Sequence, residues 1–547
     1  MRLLRQPVLA SCLLAGLSVA PAGAAWAAQD SGAATSRALG HIARFPAEAM
    51  HGANQTYDVR DVTVDRDGTE HVRFDRRYNG LRVIGGDLVV HGNAGGGFRG
   101  VSRTLQHPVN VNARAAVNAM KAVSAALSGR SGYASVGTPE SVVYARSSSP
   151  ELAYDVALNG TKADGTPSEL HVIVSGLTGR VLDSWDDVET ARSGGSGSTT
   201  TSSVKVAVAG GGTGYFNGPL ALTTDQWTTT TTSNGVTTVS KTWYLRDPSR
   251  GNQYTINMAN RTSGGSVFAS TTNGNNWGSG SLANAETVGV DAQYGTAVTW
   301  DYYLQVHGRS GIANDGKGAY NRVHYGSRYN NAFWTNSCFC MTYGDGDGTT
   351  FNPFDSLDVA GHEMSHGVTS RTANLAYSGE SGGLNEATSD IFGTAVEFHA
   401  NNAFDPGDFY IGEELYRSGN SALRSMIQPS TDGYSADCWY AGVGSLDVHY
   451  SSGVANHFYY LASQGSGSSV TCKAGDTRIA TGGPAVTGVG RQVVEKIWYR
   501  ALTVYMTSST NYAGARAATL SAATDLYGAS SAEYAAVAAA WSAVNVN

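Results

Sequence analysis

The chain has 547 residues, room for three or four domains, and a net charge of −7 with no run of Lys or Arg, which gives nucleic acid no footing. Only 15% of residues are charged, while Gly numbers 68 and Tyr 28, a balance of turns and strands that suits an extracellular protein.

The first 27 residues read as a secretory signal: Arg2 and Arg5, an apolar run from about Pro7 to Ala20, and Ala25-Trp26-Ala27 as a small-x-small cleavage site. Leu9-Ala10-Ser11-Cys12 looks like a lipoprotein box but stands too close to Arg5, and no other stretch reaches the length of a membrane span. Short β-like runs alternate with turn signals from Val62 to Thr104, 112–128 is Ala-rich and helical, and 151–188 returns to strands. Ser193 to Ser203 is only Gly, Ser and Thr. Such a segment buries too little to order itself and invites proteolysis, so it reads as the junction between a propeptide and a mature chain.

The mature part opens with short strands and turns from Val204 to about Gly280, then a helix from Ala283 to His307, then strands at 322–325 and 331–334. Helical periodicity dominates from Leu357, notably in 451–463, 488–506 and 512–544. With Cys12 removed, Cys338, Cys340, Cys438 and Cys472 remain in an oxidising compartment. Three pairings are open, and Cys438–Cys472 with a tight Cys338–Cys340 bridge is the favoured one. The expected fold class is α+β. Residues 28–195 form a propeptide of two small α+β modules (about 40–110 and 111–192), 196–355 a β-rich half, and 356–547 a helical half, with the active-site cleft at a central helix between the halves.

Chemistry concentrates in 355–400. His362-Glu363-Met364-Ser365-His366 on a helix puts two imidazoles at i and i+4, within reach of one ion. Glu386, twenty residues past His366, supplies a third ligand from a second helix. Asp390, one turn on, is placed to take a ligand histidine's free N–H. Two imidazoles and a carboxylate make a catalytic zinc site with an open position, and Glu363, beside the ion rather than on it, is placed as general base and acid.

Several ordered blocks then carry a resemblance. Asn331-Ala332-Phe333-Trp334, Met341 to Gly348, His362 to His366, Gly382 to Gly393, Leu423 to Met426 and His449 to Gly453 together resemble thermolysin-family neutral metallopeptidases from about Gly212 onward. The precursor half is similar to that family's propeptides, which act as folding helpers and temporary inhibitors. The resemblance implies that Tyr377 and His449 donate to the oxyanion, that Asp447 orients His449, and that Arg424, Asn331 and Ala332 hold the substrate backbone. It implies that Phe351, Phe354, Val359 and Leu423 line a pocket for a bulky apolar side chain after the scissile bond. It also implies calcium at Asp358, Glu397 and Asp408; Tyr410 stands where the family's type member has an acid, so a double calcium site is not expected. Gly344 to Gly348 is taken as a structural turn, and His399 and His457 as non-ligands. The expected protein is a secreted zinc endopeptidase made as a zymogen. Its partners are protein or peptide substrates and its own propeptide, with no nucleic acid and no membrane.

Overall fold

The computed structural model describes residues 23–112, 114–146, 149–162, 166–187, 203–233, 236–419 and 421–547. Most of the expected signal peptide and nearly all of the Gly/Ser/Thr junction lie outside these residues. No helix among them is long and apolar enough to cross a membrane.

An unforeseen helix, α1 (Gly23–Arg44), comes first and starts before the expected cleavage site. Its Ala34, Ala38 and Ile42, four residues apart, make one apolar stripe against Val72, Phe74, Leu88 and Val90. Those residues belong to a ten-stranded sheet whose strands lie between Gln55 and Asp186. Its two halves join where Leu81–Ile84 pairs in parallel with Glu140–Tyr144, and α2 (Ala119–Leu127) covers the second half through Ala122 and Ala126.

After the junction, the strands Ser203–Thr213, Pro219–Ser233 and Val236–Tyr244 form a meander much longer than the short strands expected from the sequence. Threonine and valine, at home on a pleated surface, fill it. A six-stranded sheet follows, and one of its edge strands is Ala332–Thr335, paired among the described residues with Cys340–Tyr343 alone. Helix α3 (Glu286–His307) packs against this sheet.

The rest is mainly helical, apart from a two-stranded sheet of Tyr410–Ile411 and Arg424–Ser425: α4 (Leu357–Ser370), α5 (Gly379–Ala400), α6 (Val448–Ser451), α7 (Gly453–Gln464) and α8 (Arg491–Arg500), the last continued by a π-helical turn Ala501–Tyr505. The stretch 512–544 divides into α9 (Tyr512–Tyr527) and α10 (Ala532–Ser542), broken after Gly528, whose φ of 95° suits glycine. Every residue of α4 is buried, so this helix is the centre of the molecule rather than a surface amphipath. Both bridges form, Cys338–Cys340 and Cys438–Cys472. The Gly344 to Gly348 segment is a turn in which Asp347 accepts from the amides of Thr349, Thr350 and Phe351.

Candidate metal centre and cleft

Helices α4 and α5 approach closely because glycine lies at their crossing. A Cβ on Gly361 would meet Gly393 Cα at 3.1 Å, and one on Gly393 would meet the Asp358 carbonyl at 2.5 Å. That approach brings Glu386 and Asp390 of α5 against the histidines of α4. His362 Nδ1 lies 2.8 Å from Asp390 Oδ1, and His366 Nδ1 lies 2.8 Å from Asn385 Oδ1. With both Nδ1 atoms engaged, the two Nε2 atoms turn inward, 3.0 Å apart.

Glu386 closes the triangle, 3.5 Å from His362 Nε2 and 3.4 Å from His366 Nε2. Ligands about 2.0–2.1 Å from an ion in a tetrahedron stand roughly 3.3 Å apart. The three donors therefore fit one zinc ion as they stand. Glu386 Oε2 is fully buried and has no hydrogen-bond partner, a cost that a cation removes. Burial pushes Glu386 up, but His449, His362 and His366 outweigh it and hold it at about 2. His366 is pushed down to about 4, chiefly by burial, so its ring is neutral and ready to donate a lone pair.

Asp390 is the hub behind the metal ligands. It accepts from His362, from Arg424 Nε (2.8 Å) and Nη2 (2.7 Å), and from Asn456 Nδ2 (2.8 Å). Burial raises its pKa, but the Arg424 guanidinium wins and keeps it ionised. Glu363 lines the cleft beside the triangle without joining it, and burial pushes its carboxyl up to about 7. Tyr377 donates to Glu386 Oε1 and lies 3.4 Å from His449 Nε2. His449 Nδ1 lies 2.7 Å from Asp447 Oδ1, and that pairing leads the causes holding Asp447 at about 2.

The triangle, Glu363, Tyr377, Arg424, Asp447 and His449 line one cavity of about 300 Å³, with Asn331 and the edge strand's Ala332 on one wall and Phe354, Val359 and Leu423 at its apolar end. Ile411, unforeseen, joins that end. Phe351 does not line the cavity; it packs behind, its ring tilted against those of Phe354 (centroids 5.3 Å apart) and Tyr416 (4.8 Å). Lys162 and Thr166, beside the ends of two strands of the ten-stranded sheet, complete the lining. Of the two histidines set aside, His457 is buried between the Asp437 carbonyl (3.0 Å) and Ser469 Oγ (2.8 Å), and His399 lies on Tyr302.

A second cluster of acids lies at the far end of α5. Ligand oxygens of Glu397, Asp408 and Glu413 fall within 4.8 Å of one another, as do those of Asp405, Glu413 and Glu414. Glu397 Oε1, Asp405 Oδ2 and Glu413 Oε2 are buried without partners. Burial and the neighbouring acids raise all three carboxyls together, a mutual repulsion that a bound cation would relieve. Asp358 is adjacent, but Ser356 Oγ, the Val359 amide and the Gly412 amide engage its oxygens. Sequence reasoning missed Asp405, Glu413 and Glu414. The signal for the last two was Gly412-Glu413-Glu414 just past Tyr410; Asp405 had none, because only the loop's fold turns it inward.

Three family models match the chain in order: the fungalysin/thermolysin propeptide motif over 55–105, the thermolysin metallopeptidase catalytic domain over 222–370, and its alpha-helical domain over 373–546. Among curated relatives, a transglutaminase-activating metalloprotease of Streptomyces mobaraensis is 45% identical over 505 residues, 90% of this chain. The chain spans 61% of that protein's length. A thermolysin of Bacillus sp. (strain EA1) is 38% identical over 88% of this chain and 84% of its own length. A bacillolysin of Bacillus caldolyticus is 40% identical over 74% and 69%.

Proposed function

The chain belongs to the thermolysin metallopeptidase family, and on that premise we propose that it is the zymogen of a secreted zinc endopeptidase that cuts before bulky apolar residues. The observation that carries the reading is the convergence of His362, His366 and Glu386 on one point beside Glu363, in a cleft walled by an edge strand. A zinc ion bound there supplies Lewis acidity, acidifying water and polarising a peptide carbonyl.

The chain's own groups do the remainder. A substrate adds as a further strand to Ala332–Thr335, whose outer edge pairs with no strand among the described residues, and Asn331 takes another amide of the peptide. Its apolar side chain enters the end formed by Phe354, Val359, Ile411 and Leu423, which favours Leu, Ile or Phe after the scissile bond. Arg424, fixed by two bonds to Asp390, keeps Nη1 for a substrate carbonyl. Glu363 takes a proton from the attacking water and returns it to the leaving amine; a carboxyl raised by burial is poised for both transfers. Tyr377 and His449 donate to the oxyanion, with Asp447 fixing the imidazole's tautomer.

Residues 28–195 act as propeptide in two ways. As inhibitor, the precursor's second half brings Lys162 and Thr166 into the cleft, with Thr166 Oγ1 2.6 Å from Tyr329 OH. As folding helper, its first half satisfies backbone groups at helix ends of the enzyme. Arg60 donates to the Ser370 carbonyl that ends α4 (3.0 Å), and Arg73 to the carbonyls of Met506 (2.8 Å) and Thr503 (3.2 Å). Asp87 holds the Ser508 amide (2.9 Å), and the Ser508 carbonyl in turn holds the Ala376 amide (2.9 Å), next to Tyr377. Maturation falls near 193–204. Self-cleavage requires a cut before Val188 or Val204, and Val204 pairs with Thr228 in a strand that must first open.

Calcium is the hard cation that suits the all-carboxylate cluster of Glu397, Asp408 and Glu413, with Asp358 behind it and Asp405 and Glu414 extending it. The test of the central reading is hydrolysis of an end-blocked, internally quenched Gly-Leu peptide by processed protein. Cleavage before Leu that is lost with a chelator, restored by zinc and absent in Glu363→Ala is the expected result. No cleavage by processed protein holding one zinc would instead make it a binding protein with a structural zinc.

A further inference from the structure

Where the precursor's first half meets the enzyme's helical half, two histidines face each other inside the interface. His71, on the strand Glu70–Tyr78, and His91, on Leu88–Gly92, are cross-strand partners, and both are buried. Their Nδ1 atoms lie 2.7 Å apart. Only one proton fits between two nitrogens at that distance. The outer nitrogens are committed too: His91 Nε2 lies 2.8 Å from Ser102 Oγ, and His71 Nε2 lies 3.1 Å from Asp65 Oδ2 and 3.0 Å from Arg500 Nη2.

The lid over the rings belongs to the enzyme. Tyr505, in the π-helical turn, packs on both, with centroids 6.2 Å from His71 and 5.2 Å from His91. Arg500, at the end of α8, joins Asp65 of the precursor to Asp525 of α9, which also accepts from Tyr505 and from Arg99 of the precursor. The charged groups around the pair are therefore Asp65, Arg73, Arg99, Arg500 and Asp525. The two acids are already claimed by arginines, so neither is free to balance a second imidazolium.

We propose that the His71–His91 pair makes the propeptide's grip on the cut enzyme acid-labile, so that the halves stay docked at neutral pH and part as the pH falls. This rests on the reading of residues 28–195 as a propeptide that remains docked once the junction is cut. Docked, the pair accommodates at most one extra proton, because a second would set N–H against N–H. Undocked, the rings lose Arg500 and the Tyr505 lid and stand on an open sheet face, where His91 is free to take up a proton. Burial, then His71 and Arg99, push His91 in the docked state down from the ordinary 6.5 to about 3. The sign follows. The undocked state binds more protons below about 6.5, so docking is at full strength above that value and weakens as pH falls toward 3. One proton per dissociation means up to about tenfold in the dissociation constant per pH unit, about 100-fold between pH 6.5 and 4.5.

The experiment uses the full chain carrying Glu363→Ala, so that it cannot cut itself, nicked in the 193–203 junction by an added protease. The dissociation constant of the halves is measured by dilution and size-exclusion chromatography from pH 7.5 to 4.5, at constant salt. The expected result is a flat plateau above 6.5 and a steep rise below it, with most of the slope gone in His91→Gln. A flat profile in the unsubstituted complex overturns the proposal, and so does an equal slope in His91→Gln, which would assign the acid sensitivity to the carboxylate clusters. Should His91→Gln not fold, proton uptake on dissociation of the unsubstituted complex decides: about one proton at pH 5.5 supports the proposal, and none overturns it. Halves already apart at pH 7.5 refute the docking reading instead.

Discussion

Replacing Asp390 by asparagine separates what this side chain does for the metal from what it does for the fold. The carboxylate is fully buried and accepts four hydrogen bonds, from His362, from two nitrogens of Arg424 and from Asn456. Asparagine keeps the shape, but its amide nitrogen can only donate, so at least one N–H now meets another. Arg424, 13% exposed, is left as a largely enclosed cation without its counter-ion. Breaking one side of a buried pair costs about 3–5 kcal/mol. Losing the acceptor that orients a ligand histidine lowers metal affinity about 10–100-fold, equivalent to about 1.4–2.7 kcal/mol. The fold should therefore suffer more than the zinc site. Urea unfolding of the metal-free precursor measures the first quantity, and competition against a chromogenic zinc chelator measures the second. A zinc affinity within twofold of the parent, together with an unchanged urea midpoint, would refute the account of Asp390 as the hub of this site.

Glu363→Gln should keep full zinc content and lose at least about 100-fold, up to about 10,000-fold, in kcat, read with the quenched peptide and metal analysis. Removing calcium with a selective chelator should lower the thermal midpoint by several degrees, and Glu413→Gln should lower it more than Asp408→Asn does, because Glu413 belongs to both acid triads. Phe354→Ala should widen the apolar end of the cleft and shift the ratio of kcat/KM from Leu toward Phe substrates by about tenfold. Opening Cys438–Cys472, a separation of 34 residues, with a double serine substitution should destabilise the protein by about 4 kcal/mol, read by denaturant unfolding in oxidising buffer.

What the sequence disclosed was whatever short-range geometry governs. The spacing of His362 and His366 fixes them on one helical face, and the four-residue step from Glu386 to Asp390 fixes a ligand and its support on another. The break after Gly528 was missed because apolar periodicity resumes in the same phase on both sides of it. Helix α1 was missed because its Ala-rich stripe is continuous with the expected signal. The arginines at the interface were illegible for a different reason: Arg73 meets Met506 across more than four hundred residues. Nothing local distinguishes it from Arg76 or Arg77. Likewise Asp405 gains its acidic neighbours only when the 401–413 loop closes on the end of α5.

Arg73 has a consequence for the enzyme's lifetime. In the precursor it reaches into the enzyme and occupies the carbonyls at the close of the π-helical turn, while Asp87 occupies Ser508. Under the proposed maturation, a molecule whose propeptide has been cut and digested has no second copy of that guide when it unfolds. Its durability is then set by the height of the unfolding barrier and not by any balance between folded and unfolded forms. On that reading such a molecule would fold once, and its working life would be a half-life.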